Sequence, residues 1–249
     1  MIYRLIGPMS AVGLTLLWAT STLATNVALT FGGRQVTEKH AMAPPPDRLS
    51  FAPPVRRTSR PVLAPSDLIR SLDSLFDGGS YSLVARAVGN AEGTRTADGG
   101  YTAAYYGHVD PGNQKWNLGS FSYQHGASTP AAADAKQLKR LYNQALDLRQ
   151  QASQHQIMLS LSEELNGIDL ANQAPLAALD RGYLSWLAIA RQKPMDETER
   201  IIWARTRAFI DPDSGRWNAP GLGNTLTSIR WDQTRRQQAV QQVLDQSSQ

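Results

Sequence analysis

The sequence predicts a mainly α-helical domain, and three observations carry that expectation. Apolar residues recur at helical spacing through most segments beyond residue 65. Strand-like alternation is confined to two short candidates, 101–106 and 119–123, which allow at most a small hairpin. No internal repeat is present, so neither a solenoid nor a propeller is expected.

The elements follow in order. Ser66 is placed to cap a helix carrying Leu68, Ile69, Leu72, Leu75 and Phe76, which stops at Asp77-Gly78-Gly79. A second helix is expected over 81–92, burying Leu83, Val84, Ala87, Val88 and Ala91, with Gly93 as its left-handed closing residue. From Thr94 to Pro130 the helical period disappears. This stretch is rich in Gly, Asn, Asp and Tyr and contains Pro111. Its aromatics, Tyr101, Tyr105, Tyr106, Trp116, Phe121 and Tyr123, point to an ordered functional loop and away from disorder. Helices are expected again over 131–154, with Leu138, Leu141, Ala145 and Leu148 on one stripe, and over 157–165 and 174–192. Asp196 and Glu199 make a capping box for a helix through Phe209. Asp211 to Gly215 reads as a turn, Leu222 to Asn224 as a loop, and 226–244 as the last helix.

Ahead of this lie two segments of different character. From Leu5 to Phe31 there is no charged residue, a run long enough to cross a bilayer but diluted by Ser10, Thr15, Thr20, Ser21, Thr22, Thr25 and Asn26. Residues 1–33 read as a membrane anchor or as a signal peptide with Arg4 as its basic end and a small-residue exit at Thr22-Leu23-Ala24. The cations Arg34, Lys39, Arg48, Arg56, Arg57 and Arg60 follow the run, and by the positive-inside rule they oppose export. A buried N-terminal helix of a cytosolic protein is the bland alternative. Residues 34–64 include APPPDRLSFAPP, Pro-rich sequence without an apolar period, and read as an extended spacer. An apolar segment, a spacer and then a helical domain over 65–249 is the order of an exported, periplasmic or extracytoplasmic protein, with an uncleaved segment 1–33 meeting the membrane.

Composition narrows the chemistry. There is no cysteine, so disulfides, thiolate zinc sites and cysteine nucleophiles are excluded. The net charge of +4 comes without a Lys/Arg cluster interleaved with aromatics, so no nucleic-acid partner is expected. A mildly positive chain suits an acidic polymer. No cofactor and no metal are expected. His108, Asp110 and His125 lie close in sequence, but two histidines and one carboxylate do not complete a site, and Asp110-Pro111-Gly112-Asn113 is strong turn chemistry. Ser120, Ser122 and Ser160 lack the nucleophile-elbow setting of a serine hydrolase. Glu163-Glu164 and Arg235-Arg236 read as solvated helix faces, and Trp186 and Trp203 as core.

The residues that could carry chemistry gather between Ala91 and Gln124. Glu92 ends an apolar helix, where both the apolar surroundings and the helix C-terminus disfavour a negative charge. A carboxylic acid that keeps its proton can donate it to a glycosidic oxygen. Tyr105, Tyr106 and Trp116 can offer flat faces to sugar rings, while Asn113, Asn117 and Gln124 can bond hydroxyl and N-acetyl groups.

The string VGNAEGT, followed after a Gly- and Tyr-rich loop by GSFSYQHG, resembles the lysozyme-like superfamily, which includes phage endolysins and lytic transglycosylases. The likeness covers about residues 81–124. It implies a lysozyme-like helical domain, Glu92 as catalytic acid and base, and Gly119, Tyr123 and Gln124 lining a sugar cleft. A second carboxylate is often paired with the first in such enzymes, and Asp98 and Asp110 are the candidates here. The implied activity is cleavage of peptidoglycan by a muramidase or a lytic transglycosylase; the alternative is a non-catalytic glycan-binding or wall-associated module.

Overall fold

The structure is a computed structural model that describes residues 72–248. The expectations for segments 1–33 and 34–64, and for Ser66, Leu68 and Ile69, lie outside the described residues. Within them the protein is mainly α, with one two-stranded antiparallel sheet.

Residues 72–76 are helical, followed by a turn and a 3-10 turn at Gly79–Tyr81. Helix α1 (Leu83–Glu92) begins where Ser82 Oγ accepts from Ala85 N, and it ends as expected at left-handed Gly93, φ 75°. Helix α2 (Pro130–Gln154) has Thr129 as cap and proline in its first turn, where the missing N–H costs nothing. The expected stripe is present: Leu141, Ala145 and Leu148 are buried, and Leu138 is partly so.

Two later boundaries differ from the sequence expectation. The helix expected over 157–165 is α3 (Leu161–Gln173), because Ser160 and Glu163 form a full capping box that fixes its start. The helix expected over 174–192 is divided. Ala174 leaves the helical conformation, a π-helical turn covers Leu176–Asp180, and Gly182 at φ 83° breaks the chain before α4 (Tyr183–Ala190). Helix α5 (Glu197–Arg207) starts at the expected Asp196/Glu199 box, and α6 (Leu226–Ser247) starts at Thr225.

The hairpin is displaced from both candidate strands. Strand β1 (His108–Val109) pairs with β2 (Trp116–Asn117), with His108 opposite Asn117 and Val109 opposite Trp116. The reason lies in the turn between them: Asp110 Oδ1 accepts from Gly112 N and Asn113 N, so the chain reverses there and the flanking residues pair. The candidate segments instead contribute a 3-10 turn at Ala103–Tyr106 and an isolated bridge between Leu118 and Tyr123.

Helix α1 packs on α6 and α3, α2 packs on α3, and α5 packs on α4 and α6. One apolar core joins them through Val84, Val88, Leu141, Ile168, Tyr183 and Val240, and the loop adds Phe121 to it. Among the described residues no helix is long and apolar enough to cross a membrane.

Candidate functional site

The end of α1 is built by its sequence. Gly93 turns the chain, and Thr94 closes the turn by bonding back through its N–H and hydroxyl to Gly89 O. The same hydroxyl donates to Ser120 O at 2.6 Å, which joins the start of the loop to its end. Next to it Arg95 is 2% exposed, and its guanidinium donates to Ser120 Oγ, Gly99 O and Ser80 O. The ring of Tyr101 lies 4.4 Å from it and that of Tyr105 5.5 Å. Asp134 on α2 completes the anchor, accepting from Ser120 N and Ser120 Oγ, with Arg95 3.6 Å away. The loop is therefore pinned at both ends to the helices that flank Glu92.

Glu92 itself sits at the last position of α1 with 16% of its side chain exposed. Its surroundings are not the apolar ones expected. Arg236 of α6 donates to Oε1 at 2.6 Å, and Asn172 of α3 donates to the same oxygen at 3.0 Å. Among the described residues Oε2 accepts no hydrogen bond.

The sequence predicts a solvated helix face at Arg236, and in the structure this residue is 4% exposed. Its fork grips Asp169 through Nε (2.9 Å) and Nη2 (2.7 Å), and Arg205 reaches the same carboxylate from α5 at 2.7 Å. Burial works against the Arg236 charge, but Asp169 and then Glu92 outweigh it and hold the guanidinium above its usual pKa. Arg205 is satisfied on its other side by Gln233 and by Asn166. Four helices thus meet in a buried polar cluster whose outermost member is Glu92. An i, i+3 and i, i+4 pattern of polar residues, Asn166, Asp169, Gln173 on α3 and Asp232, Gln233, Arg236 on α6, was the available signal in the sequence.

Glu163 and Glu164, also read as solvated, are 1% and 8% exposed and pair with Arg191 and Arg149. Helix α3 starts on these two carboxylates, which favour its N-terminal dipole.

The remaining predicted residues separate into two groups. Tyr105 is 6% exposed, its ring 4.0 Å from that of Tyr101, so it packs inside the loop and presents no open face. Burial, then Asp134 and Tyr101, hold its phenol above the usual pKa. Asn117 is buried; its Nδ2 is 3.5 Å from His108 Nε2, and its Oδ1 has no partner among the described residues. Gly119 is buried against α2. Tyr106 and Trp116 are exposed, at 64% and 57%. Trp116 lies on the backbone of Gly107, where a Cβ would stand 2.1 Å from its ring. Asn113, in the hairpin turn, donates through Nδ2 to Gln124 Oε1 at 2.8 Å. Tyr123 packs edge-on to His125, with Lys136 Nζ 5.9 Å from its ring.

The two carboxylate candidates also differ. Asp98 is held in its own turn by Thr96 Oγ1 and Gly100 N, and these donors, Thr96 first, keep its pKa below the usual range. Asp110 gives Oδ1 to the hairpin turn and, with Gln173, Leu176, Arg181 and Phe209, lines a groove of about 500 Å³. Gln173 is the chain neighbour of the Asn172 that holds Glu92. A second groove of about 500 Å³ lies elsewhere, along Trp203, Trp217, Ile202 and Arg230. Trp203 and Trp186, expected in the core, are both partly buried, in edge contact at 5.7 Å, with Arg207 stacked 4.3 Å over Trp203.

Set against known protein families, curated proteins and solved structures, the chain matches none of them.

Proposed function

We propose that this protein is a lysozyme-like enzyme that cleaves peptidoglycan, as a muramidase or a lytic transglycosylase, with Glu92 as the acid and then the base. One observation carries the reading: a carboxylate at a helix end, partly open to solvent, has one oxygen fixed by two donors and the other without a hydrogen bond among the described residues. In the reaction Oε2–H gives its proton to the glycosidic oxygen as the anomeric C–O bond breaks. The departing electron pair stays on that oxygen. Oε2 then takes a proton from water, or from the substrate's own hydroxyl, as the new bond to the anomeric carbon forms.

Further support comes from Asp110 and Gln173, which line one groove at the C-terminal end of α3, although Glu92 is not among its lining residues, and from exposed Tyr106 and Trp116, which are open to sugar rings. Such an enzyme acts outside the cytoplasm. The apolar run of residues 5–31 and the Pro-rich spacer suit delivery there, with release or anchoring at the membrane.

The experiment is mass spectrometry of purified peptidoglycan after incubation with the full chain and with Glu92→Gln. Muropeptide release by the wild type and none by the variant, with both folded, is the expected result; equal release by the two ends the proposal. An anhydro-sugar product marks transglycosylation and a reducing end marks hydrolysis. The Arg236–Glu92 ion pair favours one second reading, a non-catalytic glycan-binding module in which Glu92 ties α1 to α6. There the wild type sediments with peptidoglycan and releases nothing.

A further inference from the structure

We infer that Arg236 and Asn172 are positioning residues for Glu92, fixing Oε1 so that Oε2 is the oxygen that exchanges the proton. This rests on the glycan-cleavage reading above.

The geometry is specific to one oxygen. The donors come from different helices, α6 and α3, and converge on Oε1, while Glu92 stands on a third helix. Two donors on one oxygen fix the torsion of the carboxylate, which a single contact at a helix end would leave free to rotate.

Each donor is itself held. The two-point grip of Arg236 on Asp169 fixes the guanidinium plane, and Arg205 holds Asp169 from the far side. Asn172 Oδ1 accepts from Gln137 Nε2 at 2.7 Å, and Asn172 Nδ2 also lies 3.3 Å from Phe121 O. With its amide turned over, Asn172 would set its oxygen against the Glu92 carboxylate and the Phe121 carbonyl, so only one orientation is chemically acceptable. The chain Gln137–Asn172–Glu92–Arg236–Asp169–Arg205 therefore runs through five helices with a hydrogen bond at every link. A contact kept only for stability would be served as well by apolar side chains of similar volume. A supported shell of this kind orients a reacting group.

The groups facing Glu92 from the packed elements are few. From α6 come Arg236 and, one residue earlier, Arg235, which donates to Ala91 O and pairs with Asp232. From α3 come Asn172 and, through Arg236, Asp169.

The test uses the full chain with Arg236→Lys and Asn172→Ala, and soluble uncrosslinked peptidoglycan strands as substrate. Lys keeps the charge but, as a single ammonium, does not reproduce the fork on Asp169 together with the bond to Glu92. In both variants kcat is expected to fall about 10- to 100-fold through misplacement of the reacting oxygen. KM is expected to stay within about twofold, the signature of an interaction that matters in the transition state. The Glu92 side-chain carboxyl carbon resonance, identified by its absence in Glu92→Gln, should move in both. Unchanged kcat, or an unmoved resonance, overturns the inference, as does a loss no larger than the drop in folded protein. Should Arg236→Lys fail to fold, Asn172→Ala decides. Should the wild type show no turnover, the cleavage reading alone fails, and the resonance still shows whether the two donors hold Glu92.

Discussion

Arg205 donates to Asp169 across 2.7 Å with neither side chain exposed to solvent. Asp169 is also gripped by Arg236, and Arg205 is satisfied further by Gln233 and Asn166, so the charges are paired within a wider net of hydrogen bonds. The cluster stands between α3, α5 and α6, and its edge is the carboxylate proposed to carry out catalysis. Removing one member leaves a buried charge without its partner. Asp169→Leu is therefore expected to lower the unfolding free energy by about 3–5 kcal/mol. Urea unfolding followed by far-UV circular dichroism measures it, and a loss below about 1 kcal/mol contradicts the account.

The same carboxylate sets a pH dependence. Burial disfavours its charge, but Arg236 and then Arg205 outweigh that and hold the Asp169 carboxyl below its usual pKa. A depressed carboxyl contributes stability that is full above its unfolded value, about 4, and is lost as pH falls through the lower folded value. The wild type should lose stability as pH drops below about 4, and Asp169→Asn should lose less over that window because it has no proton to take up there. Parallel curves for the two proteins would show that Asp169 does not contribute to the acid limb.

Gly119 belongs to the GSFSYQ string and has a packing reason to be glycine. Its φ is 76°, and a Cβ there would stand 2.5 Å from Asp134 Oδ1 and 2.9 Å from Pro130 O. Gly119→Ala would press on the carboxylate that holds Ser120 and on the start of α2. It is expected to cost about 2 kcal/mol or more, combining left-handed strain with overpacking. Thermal denaturation reads the effect, and an unchanged midpoint would mean that the loop yields at no cost.

Much of the fold was legible because it is written locally. Gly93, Asp196 and Glu199 fix helix ends through bonds to their own neighbours, and the expected limits there agree with the structure, whereas Ser82 starts α1 at Leu83, two residues after the expected start at 81. The division between α3 and α4 was not legible, since Gly182 and the π-helical turn interrupt an apolar pattern that continues through them. Glu92 and the loop could be singled out from spacing. The partners Arg236, Asp169 and Asn172 could not, because they lie 144, 77 and 80 residues away in sequence, and Arg236 in a polar run reads as a solvated surface. Glu163 and Glu164 look solvated in the sequence for the same reason: the arginines that make their burial tolerable come from elsewhere, Arg149 from α2 and Arg191 from the residue that ends α4.

Arg95 is a third buried cation, beside Arg205 and Arg236. It reaches Ser120, Gly99 and Ser80 and lies against Tyr101 and Tyr105, so a single side chain gathers both ends of the loop. Arg95→Met keeps much of the aliphatic volume but leaves Asp134 without its nearby cation. A loss of about 2–4 kcal/mol is expected, together with early proteolytic cleavage between residues 96 and 128. Cleavage confined to other segments would place the weak point elsewhere.

The aromatic residues give the sharpest contrast, since three of them were expected to act alike and the structure gives them different surroundings. Tyr105 is buried against Tyr101, and Tyr105→Ala should open a cavity costing about 3–5 kcal/mol, with any loss of glycan binding following from the loss of fold. Trp116 and Tyr106 are exposed, so truncating either should change stability by about 0.5 kcal/mol or less. If their open faces meet sugar rings, Trp116→Ala and Tyr106→Ala should each weaken sedimentation with peptidoglycan about 5- to 10-fold, the scale of one stacking contact. Binding assays run beside urea titrations separate the two roles. Wild-type binding by both exposed variants would remove these aromatics from the glycan site and leave the groove beside Asp110 and Gln173 as the surface to probe next.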